Sequence, residues 1–367
     1  MNRRVLFFIF QRIDLYPPCI SEILMLNDMG IQVTILTKGC NDQLMERFRE
    51  RGIECHILAV KENKRKLIQK IMNYFNYRHR FQWFFKKYWD ENSVLWIGTE
   101  ESIIKMWPFL KTKHPCVLNV LEFYEKDDYQ KKMKHIAPKI DILTACESHR
   151  AQYMMDWWQL KKMPYIMPNK PYKQSEVNAE GSTPEIKKAI ACMKGKKILL
   201  YQGIIDSDRD LSFLAKALKK ADSDYYLVLL GTDYHDSVRL ITESYEKTIY
   251  LGYFPAPFHL ELTLNATIGV AYYEDTCINN RYCAPNKIYE YAGCGLPMLC
   301  NTVPGLTETV GKAGAAECVD FRDGEAVIHA IEKIDSHYDD YCSASKRFYQ
   351  ETDNVSIVKK IVEKVFK

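Results

Sequence analysis

The stretch that decides the fold is residues 284–305, which read APNKIYEYAGCGLPMLCNTVPG. Asn286 is a residue type common at helix starts, and the residues that follow predict a helix over Lys287–Ala292. Pro297–Cys300 is a short apolar segment that predicts a buried strand. A helix that leads directly into a buried strand is typical of a parallel α/β sheet.

The same alternation of strands and helices extends along the whole chain. It begins with an apolar segment at Val5–Phe10, is interrupted by a polar stretch that contains Pro, Gly and Ser, and restarts at Ile198–Gly203. The sequence therefore predicts an α/β protein with two tandem Rossmann-like, doubly wound parallel-sheet domains that face a ligand cleft. The predicted boundaries are 1–169 for the N-terminal domain, 170–197 for an interdomain linker, 198–345 for the C-terminal domain, and 346–367 for a C-terminal helix, with packing back on the N-terminal domain as one option.

The composition agrees with a globular protein of two domains. The chain has 367 residues, of which 47% are hydrophobic and 27% are charged. No apolar run approaches the roughly 18–20 residues that span a bilayer, and the apolar segment near the N-terminus is shorter than that of a secretory signal. The twelve cysteines form no CxxC pair, which predicts reduced thiols and a cytoplasmic protein.

The charge is distributed unevenly between the two halves. Residues 1–168 contain 27 Lys and Arg against 19 Asp and Glu, a net charge of +8, which leaves −4 for the remainder of a chain with a net charge of +4. This asymmetry favours an anionic partner for the front half.

Much of the excess lies in residues 61–89, where nine basic residues face one acid and alternate with nine aromatic residues. One interpretation is a pair of amphipathic helices that pack on a core. A second is a basic, aromatic-rimmed surface that binds an anionic membrane. Single-stranded nucleic acid would also suit this composition, but the sequence contains no nucleic-acid-binding motif, so we predict no nucleic-acid partner.

Several common motifs are absent from the sequence. There is no GxGxxG, no Walker A and no GxSxG, which argues against dehydrogenases, P-loop enzymes and α/β-hydrolases. Two Asp-x-Asp triplets occur, at 206–208 and 222–224, and such pairs can hold a metal. Because short triplets arise by chance and Asp and Ser are common in turns, we predict no metal site.

Parts of the chain resemble the donor-binding half of GT-B glycosyltransferases, close to the retaining enzymes of family 4. The matching segments are Pro285–Tyr291 (PNKIYEY), Gly295–Met298 (GLPM), and Tyr201–Gly203 followed by Arg209. Pro168-Asn169 is similar to the Pro-Asn-Gly hinge of that family. The resemblance covers most of residues 198–305 and, more loosely, the whole chain. It implies a GT-B fold and transfer of a sugar from a nucleotide donor.

The resemblance also implies roles for individual residues. Arg209 and Lys287 are catalytic candidates, because cations neutralise a leaving diphosphate. Glu290 is the candidate for the ribose hydroxyls, with a surface Glu–Lys ion pair as its alternative. The other donor-side candidates are Gly203 for close backbone approach, Asn286 as a phosphate contact or helix cap, Tyr253 or Phe254 for base stacking or core packing, and Tyr282.

The sequence departs from the family in three places. Tyr282 stands where the first Glu of the family's E-x7-E pair is expected. The loop at residues 11–18 lacks the family's glycines. Leu121 stands where many relatives have a His, and the adjacent Glu122 is the third catalytic candidate. The acceptor-side candidates in the loop are Arg12, Asp14 and Tyr16.

Three functions follow from these observations. The first is a retaining, metal-independent hexosyltransferase that uses a UDP- or GDP-linked sugar as co-substrate and needs no cofactor. Its acceptor would be a saccharide or a lipid-linked saccharide, in the synthesis of a cell-surface polysaccharide or glycolipid. It would be cytoplasmic, with a peripheral location on the inner face of the plasma membrane through residues 61–89. The alternatives are a nucleotide-sugar 2-epimerase, which needs acid/base groups, and a non-catalytic module that binds nucleotide sugars.

Overall fold

A computed structural model describes residues 3–58, 68–110, 114–173 and 177–366. The chain divides into two compact units. The first unit comprises Met1–Pro168 together with Asp353–Lys367, and the second comprises Asn169–Thr352. The chain therefore passes between the units twice, once after Pro168 and once after Thr352.

The first unit is built on a seven-stranded sheet with the order β3-β2-β1-β4-β5-β6-β7, in which every paired strand is parallel. The order reverses beside the central β1, and ligands of doubly wound folds bind at the strand ends next to such a reversal. The strands are β1 (Arg4–Arg12), β2 (Gln32–Gly39), β3 (Glu54–Ile57), β4 (Ser93–Ile97), β5 (Cys116–Val120), β6 (Ile142–Ala145) and β7 (Tyr165–Ile166).

Helices connect these strands, as parallel pairing requires. Several begin with a side-chain cap, such as Asn41 before the second helix and Thr99 before the fourth. The helices of the first unit are α1 (Pro17–Asp28), α2 (Asp42–Glu50), α3 (Ile68–Tyr88), α4 (Glu100–Met106), α5 (Asp127–Ile136), α6 (Ser148–Trp158) and, from the C-terminal segment, α16 (Asn354–Val365), which contacts α1.

The second unit repeats the plan with six parallel strands in the order β10-β9-β8-β11-β12-β13. Its strands are β8 (Lys197–Gln202), β9 (Tyr225–Leu230), β10 (Thr248–Gly252), β11 (Ile268–Ala271), β12 (Met298–Cys300) and β13 (Ala316–Cys318). Its helices are α7 (Pro184–Met193), α8 (Ser212–Lys220), α9 (Ser237–Ser244), α10 (His259–Thr263), α11 (Ile278–Arg281), α12 (Asn286–Gly293), α13 (Pro304–Leu306), α14 (Gly324–Ser336) and α15 (Tyr338–Glu351).

The fold class predicted from the sequence is confirmed, because both units are doubly wound parallel α/β sheets. The stretch predicted as a linker, 170–197, holds more structure than a linker. It contains α7, whose Ile186, Ala189 and Met193 are buried in the core of the second unit. The amphipathic spacing of these residues explains why the segment packs rather than remaining a connection.

The prediction of two amphipathic helices within 61–89 is wrong for the described part of that segment. Residues 68–88 form the single helix α3, and residues 61–67 lie outside the described residues. The stretch contains neither Gly nor Pro, so nothing interrupts the helical backbone between the two apolar repeats. No helix within the described ranges is long and apolar enough to cross a membrane.

A tyrosine fixes α12 on the second sheet. A Cβ on Gly269 would lie 2.4 Å from ring atoms of Tyr291, so the absence of a side chain on β11 makes room for the ring. The Tyr291 hydroxyl lies 2.9 Å from the carbonyl oxygen of Leu200 and accepts a hydrogen bond from the backbone N–H of Gln202 at 3.1 Å. These contacts set the position of the N-terminus of α12 relative to the end of β8.

Candidate active site

Lys287 lies at the start of α12, one residue after Asn286. It is only 6% exposed, and its ammonium lies 3.9 Å from the ring centre of Tyr201 and 5.3 Å from that of Tyr273. Burial, with a smaller effect of the Arg209 charge, lowers the pKa of Lys287 to about 7. An anion at this point would favour the charged ammonium.

Arg209 is the second cation of the site. It ends the short 3₁₀ turn Ser207–Arg209 that follows β8, and its guanidinium carbon lies 4.8 Å from the ring centre of Tyr273. Both cations therefore lie within reach of the Tyr273 ring, and each gains from it. Two cations beside a helix N-terminus form an arrangement that suits a ligand with two negative charges.

Two glycines allow close backbone packing beside the Lys287 ammonium. Gly203 follows β8 with a φ of 126°, and a Cβ there would lie 3.3 Å from Lys287 Nζ. Gly231 follows β9 with a φ of 151°, and a Cβ there would lie 1.7 Å from the carbonyl oxygen of Gly203. The backbone thus comes close to the ammonium in a conformation that favours glycine.

Glu290 lies one turn after Lys287 and is buried, with 5% of its surface exposed. Its Oε2 accepts a hydrogen bond from Gln202 Nε2, and its Oε1 lies 3.2 Å from His259 Nε2. The alternative of a surface Glu–Lys ion pair is therefore wrong, because the carboxylate is inside the site and has other partners. Burial of a carboxylate with defined hydrogen bonds fixes its orientation.

Sequence reasoning missed three residues that orient Glu290. Gln202 ends β8, and its Oε1 accepts a hydrogen bond from Thr263 Oγ1 at 2.7 Å. His259 and Thr263 stand four residues apart on α10, so both lie on the same face of that helix. The position of Gln202 directly before Gly203 was the available signal; nothing in the sequence pointed to α10.

The other donor-side candidates surround the start of α12. Asn286 is half-buried and is the first residue of α12, while Pro285 occupies the cap position, so the predicted N-cap role of Asn286 is wrong. Tyr282 lies in the turn between α11 and α12 and is half-buried. Tyr253 follows β10 and is 55% exposed, which removes core packing as its role.

The strand ends of the first unit carry acidic and phenolic groups. Glu122 follows β5 and is half-buried. Glu100, missed by sequence reasoning, begins α4 after β4, is 4% exposed and accepts a hydrogen bond from the backbone N–H of Leu121 at 3.3 Å. Burial and then the charge of Glu122 raise the pKa of Glu100 to about 8. Burial and these carboxylates also raise the pKa of Tyr16 and of Tyr124.

The acceptor-side candidates occupy the turn after β1. Arg12 Nη2 forms an ion pair with Asp14 Oδ2 at 3.1 Å. The Arg12 side chain also covers Gly39, where a Cβ would lie 2.9 Å from Nη1. Tyr16 immediately precedes α1. The structure thus places Tyr16 electrostatically near Glu100 and Glu122, while Arg12 and Asp14 neutralise each other.

The described aspartates of the two Asp-x-Asp triplets have hydrogen-bond or ion-pair partners within the protein. Asp206 accepts from the backbone N–H of Ser207 and pairs with His235 at 3.0 Å. Asp222 and Asp224 lie in the turn before β9, where Asp224 pairs with Lys197 at 3.1 Å. Across the part of the chain that the structure describes, no three His, Cys, Asp or Glu side chains are grouped so that they could hold a metal ion.

Comparison with known proteins identifies the fold. No protein-family profile and no curated protein sequence matches the chain. Among solved structures, the chain is similar to a glycosyltransferase from Rickettsia africae ESF-5, with a TM-score of 0.73, 13% identity, and coverage of 100% of this chain and 99% of that one.

Two further solved structures show the same similarity. Sucrose-phosphate synthase from Thermosynechococcus elongatus has a TM-score of 0.68 and 13% identity, with coverage of 99% of this chain and 97% of that one. WaaG, a glycosyltransferase involved in lipopolysaccharide biosynthesis, has a TM-score of 0.65 and 14% identity, with coverage of 98% and 99%. At these identities the similarity shows a shared fold, which is the GT-B fold with two Rossmann-like domains.

Proposed function

We propose that this protein is a glycosyltransferase that moves a sugar from a nucleoside diphosphate to a hydroxyl group. The observation that carries the proposal is the pair of cations, Lys287 and Arg209, around the ring of Tyr273 and in front of Gly203. The pair is matched in charge to a diphosphate. The GT-B fold shared with known glycosyltransferases supports the same conclusion.

The donor half of the reaction follows from these residues. The diphosphate lies against Lys287 and Arg209, and the N-terminus of α12 adds its own attraction for anions. Charge accumulates on the diphosphate as the bond to the sugar breaks, so these cations stabilise the transition state more than the ground state. Glu290, held by Gln202 and His259, accepts hydrogen bonds from the ribose hydroxyls. The ring of Tyr253, which is 55% exposed, stacks on the base.

We further propose that the configuration at the sugar carbon is retained. The bond from that carbon to the phosphate oxygen breaks, the bond to the acceptor oxygen forms on the same face, and the acceptor proton passes to the phosphate oxygen that leaves. This step needs no metal and no enzymatic nucleophile. Tyr282, which stands where relatives have a glutamate, would then contact the donor sugar without supplying a negative charge.

The acceptor is assigned to the first unit. Glu122 and Glu100, with Tyr16, provide hydrogen-bond partners for sugar hydroxyls at the strand ends. Burial keeps Glu100 largely protonated at neutral pH, so it can donate as well as accept. Glu122 is the group we assign to contact the attacking hydroxyl, and Arg12 and Asp14 remain acceptor-side candidates in the turn after β1.

A thermal-shift screen tests the donor assignment. UDP, GDP, ADP and their hexose derivatives are added separately, and the melting temperature is measured. One nucleotide family should raise it, and Lys287→Ala should abolish that rise while Lys220→Ala, an exposed lysine of the same unit, should not. If no nucleotide raises the melting temperature of the unaltered protein, the proposal fails.

Incubation with the stabilising donor alone tests the reaction class. A transferase leaves the donor intact without an acceptor, apart from slow hydrolysis. Release of an epimer from the donor alone would instead select the 2-epimerase. Binding of the donor with no turnover across a broad panel of saccharide acceptors would select a non-catalytic module.

We also propose that the enzyme works at an anionic membrane, on the cytoplasmic face, in the synthesis of a cell-surface polysaccharide or glycolipid. The outer face of α3 supports this proposal. Phe75 and Trp83 are 51% and 50% exposed on that face, and the Lys87 ammonium lies 5.1 Å from the Trp83 ring. Exposed aromatic and basic residues on one helix face are typical of interfacial helices.

Vesicle co-sedimentation tests the membrane proposal. The protein should bind vesicles with anionic lipid more than neutral vesicles, and more at low salt than at high salt. Replacement of three exposed basic residues of α3 should weaken binding by about 1 kcal/mol per residue, whereas three exposed lysines of α5 serve as the control. The two triple variants are Arg80→Ala/Lys86→Ala/Lys87→Ala and Lys131→Ala/Lys132→Ala/Lys134→Ala. Equal binding to both kinds of vesicle at low salt would contradict it.

A further inference from the structure

The first unit contains a cavity of about 480 Å³ between β1, α3 and α4. That volume lies within the range of roughly 300–1,000 Å³ that is usual for small-molecule sites. Two of the residues that line the cavity, Lys105 and Pro108, are exposed, so the cavity reaches the surface. The donor residues all belong to the second unit, and none of them lines this cavity.

The inner walls of the cavity are aromatic and aliphatic. Phe8 of β1 packs edge-on against Phe81 of α3, with ring centres 5.7 Å apart. One turn earlier on α3, Tyr77 packs against Phe10 at 4.7 Å. Ile104 of α4 completes the wall opposite α3. A ligand in this space must therefore be apolar over most of its length.

The cavity becomes polar at the carboxyl end of β1. Lys105 places its ammonium 3.6 Å from the ring centre of Phe10, and Lys38 lies between the strand pairings Ile9–Thr37 and Arg12–Gly39, next to Phe10. Asn73 lines the same end. One carboxylate, Glu101, pairs with Lys105 at 2.5 Å. Among the described residues named at this end, two carry an ammonium group and one carries a carboxylate.

We propose that this cavity binds a single apolar chain of an amphiphile whose anionic head group lies against Lys38 and Lys105. The apolar walls suit the chain, and the two ammonium groups at one end suit the head. A wholly apolar ligand would place apolar atoms against the charged groups at the polar end, and a wholly polar ligand would place polar atoms against the aromatic walls.

The position of the polar end of the cavity suits an amphiphile that acts as the acceptor. Gln11 Nε2 donates to Glu101 at 2.6 Å, and the next residue along β1 is the acceptor-side candidate Arg12. A head group at Lys38 and Lys105 would therefore lie at the strand ends where the acceptor is assigned. The assignment of this amphiphile as the acceptor rests on the proposed function, whereas its binding in the cavity does not.

The two faces of α3 suggest how such a molecule would pass from a membrane into the cavity. Tyr77 and Phe81 face the cavity, whereas Phe75 and Trp83 are exposed on the other side of the same helix. A helix that rests on a membrane by its outer face would hold the cavity within reach of a lipid chain. The cavity thus selects an acceptor that carries an apolar chain over a free saccharide.

Calorimetric titration with dodecyl phosphate, below its micelle concentration, tests the proposal. We expect one molecule bound per chain, counted independently by native mass spectrometry. Butyl phosphate should bind at least about a hundredfold more weakly because its chain is much shorter, and inorganic phosphate should not bind measurably. Similar affinities for dodecyl and butyl phosphate would overturn the proposal.

Two variants locate the bound chain. Ile104→Trp fills the cavity and should weaken dodecyl phosphate binding at least about tenfold. Met163→Trp, which adds the same side chain at an exposed position outside the cavity, should leave binding unchanged. Equal weakening in both variants, or several molecules bound with no effect of Ile104→Trp, would show adsorption to the surface and overturn the proposal.

A double variant keeps the test valid if Ile104→Trp does not fold. Lys38→Ala/Lys105→Ala should weaken dodecyl phosphate binding about tenfold, while dodecyl maltoside, with the same chain and a neutral head, keeps its affinity. Loss of both ligands, or of neither, would contradict the assigned head-group site.

The nucleotide screen separates this proposal from the proposed function. Nucleotide sugars should still raise the melting temperature of Ile104→Trp, because Lys287 and Arg209 lie in the other unit. Binding of dodecyl phosphate with no response to any nucleotide would overturn the proposed function alone. A nucleotide response without dodecyl phosphate binding would overturn the cavity assignment alone.

Discussion

The strand ends of the second unit present two cations, whereas those of the first unit present two carboxyl groups. In the second unit Lys287 and Arg209 lie around Tyr273. In the first, burial raises the pKa of Glu100, and Glu122 lies close enough for its charge to raise that pKa further. The same fold thus carries a cluster that suits an anion and a cluster that suits groups that exchange hydrogen bonds. This difference is consistent with the transfer proposed above, from a diphosphate donor to a hydroxyl acceptor.

The net charge of each half favours an anionic partner for the front half, but the two cations that suit an anion lie in the back half. The front half carries a net charge of +8 and the back half −4, yet the pair of cations lies in the back half. Net charge sums over solvated residues, whereas a binding site depends on a few groups that lie close together in a low dielectric. Much of the basic excess of the front half lies in residues 61–89 of the sequence, of which residues 68–88 form α3.

The first strand of each unit ends in a different kind of residue. β8 is followed by Gly203, whose lack of a side chain lets the backbone come close to the Lys287 ammonium. β1 ends in Arg12, whose side chain covers Gly39 and pairs with Asp14. A bulky residue at the end of β1 leaves no room for the close backbone approach that a phosphate needs. The lack of glycines in the front loop is thus consistent with an acceptor-side role for the first unit.

Loss of the Lys287 charge should have the largest effect on activity. We expect Lys287→Ala to lower kcat/KM by a factor that corresponds to a loss of about 2–4 kcal/mol of transition-state stabilisation, because the ammonium stabilises the leaving diphosphate. Steady-state kinetics with the donor identified by thermal shift measures the effect.

The matched control for that variant is Lys220→Ala, an exposed lysine on α8. Its kinetics should equal those of the unaltered protein. Glu100→Gln in the first unit should leave donor binding intact. If Glu100→Gln weakened donor binding as much as Lys287→Ala, the division between a cationic and an acidic site would be wrong.

The lowered pKa of Lys287 predicts a pH-dependent affinity for the donor. Above about pH 7 the free lysine loses its proton, so binding of a diphosphate must take up a proton. The dissociation constant for UDP-glucose or a GDP-linked hexose should therefore rise by up to about tenfold per pH unit between pH 7 and 9. Because the diphosphate of such a donor does not titrate in this range, the slope reports the protein.

Lys287→Arg is the matched variant, because arginine stays charged throughout this range. Its affinity should change little between pH 7 and 9. A slope equal to that of the unaltered protein would show that another group binds the proton.

A buried acid beneath the first sheet predicts a pH-dependent stability. Burial raises the pKa of Glu22 to about 8, although Asn119 and Trp96 donate hydrogen bonds to it. The folded state therefore keeps a proton that the unfolded state loses above about pH 4.5, so the free energy of unfolding falls as pH rises towards 8.

Glu22→Gln removes this dependence. Its stability relative to the unaltered protein should rise by about 1 kcal/mol per pH unit between pH 5 and 8. Denaturant titration at several pH values measures the difference. The exposed Glu50→Gln should show no such trend, and a Glu22→Gln profile parallel to that of Glu50→Gln would contradict the assigned protonation.

Much of the second unit could be predicted because its signals are local. The helix at α12 and the strand at β12 follow from a few adjacent residues, and Lys287 and Glu290 follow from their place in that segment. His259 and Thr263 could not be predicted, because α10 reaches Glu290 only through the packed fold. Glu100 was missed for the same reason: nothing near it in the sequence shows that Leu121 lies beside it.

The sequence by itself determined the α/β class and the two doubly wound sheets, and it provided Arg209 and Lys287 as candidate cations. These features depend on hydrophobic periodicity and on short segments, which are readable without a structure. Only the tertiary structure decided that Glu290 is buried rather than paired on the surface, that α3 is one helix, and that a cavity lies behind it. Burial and cavities depend on residues distant in sequence, and packing alone decides which of them meet.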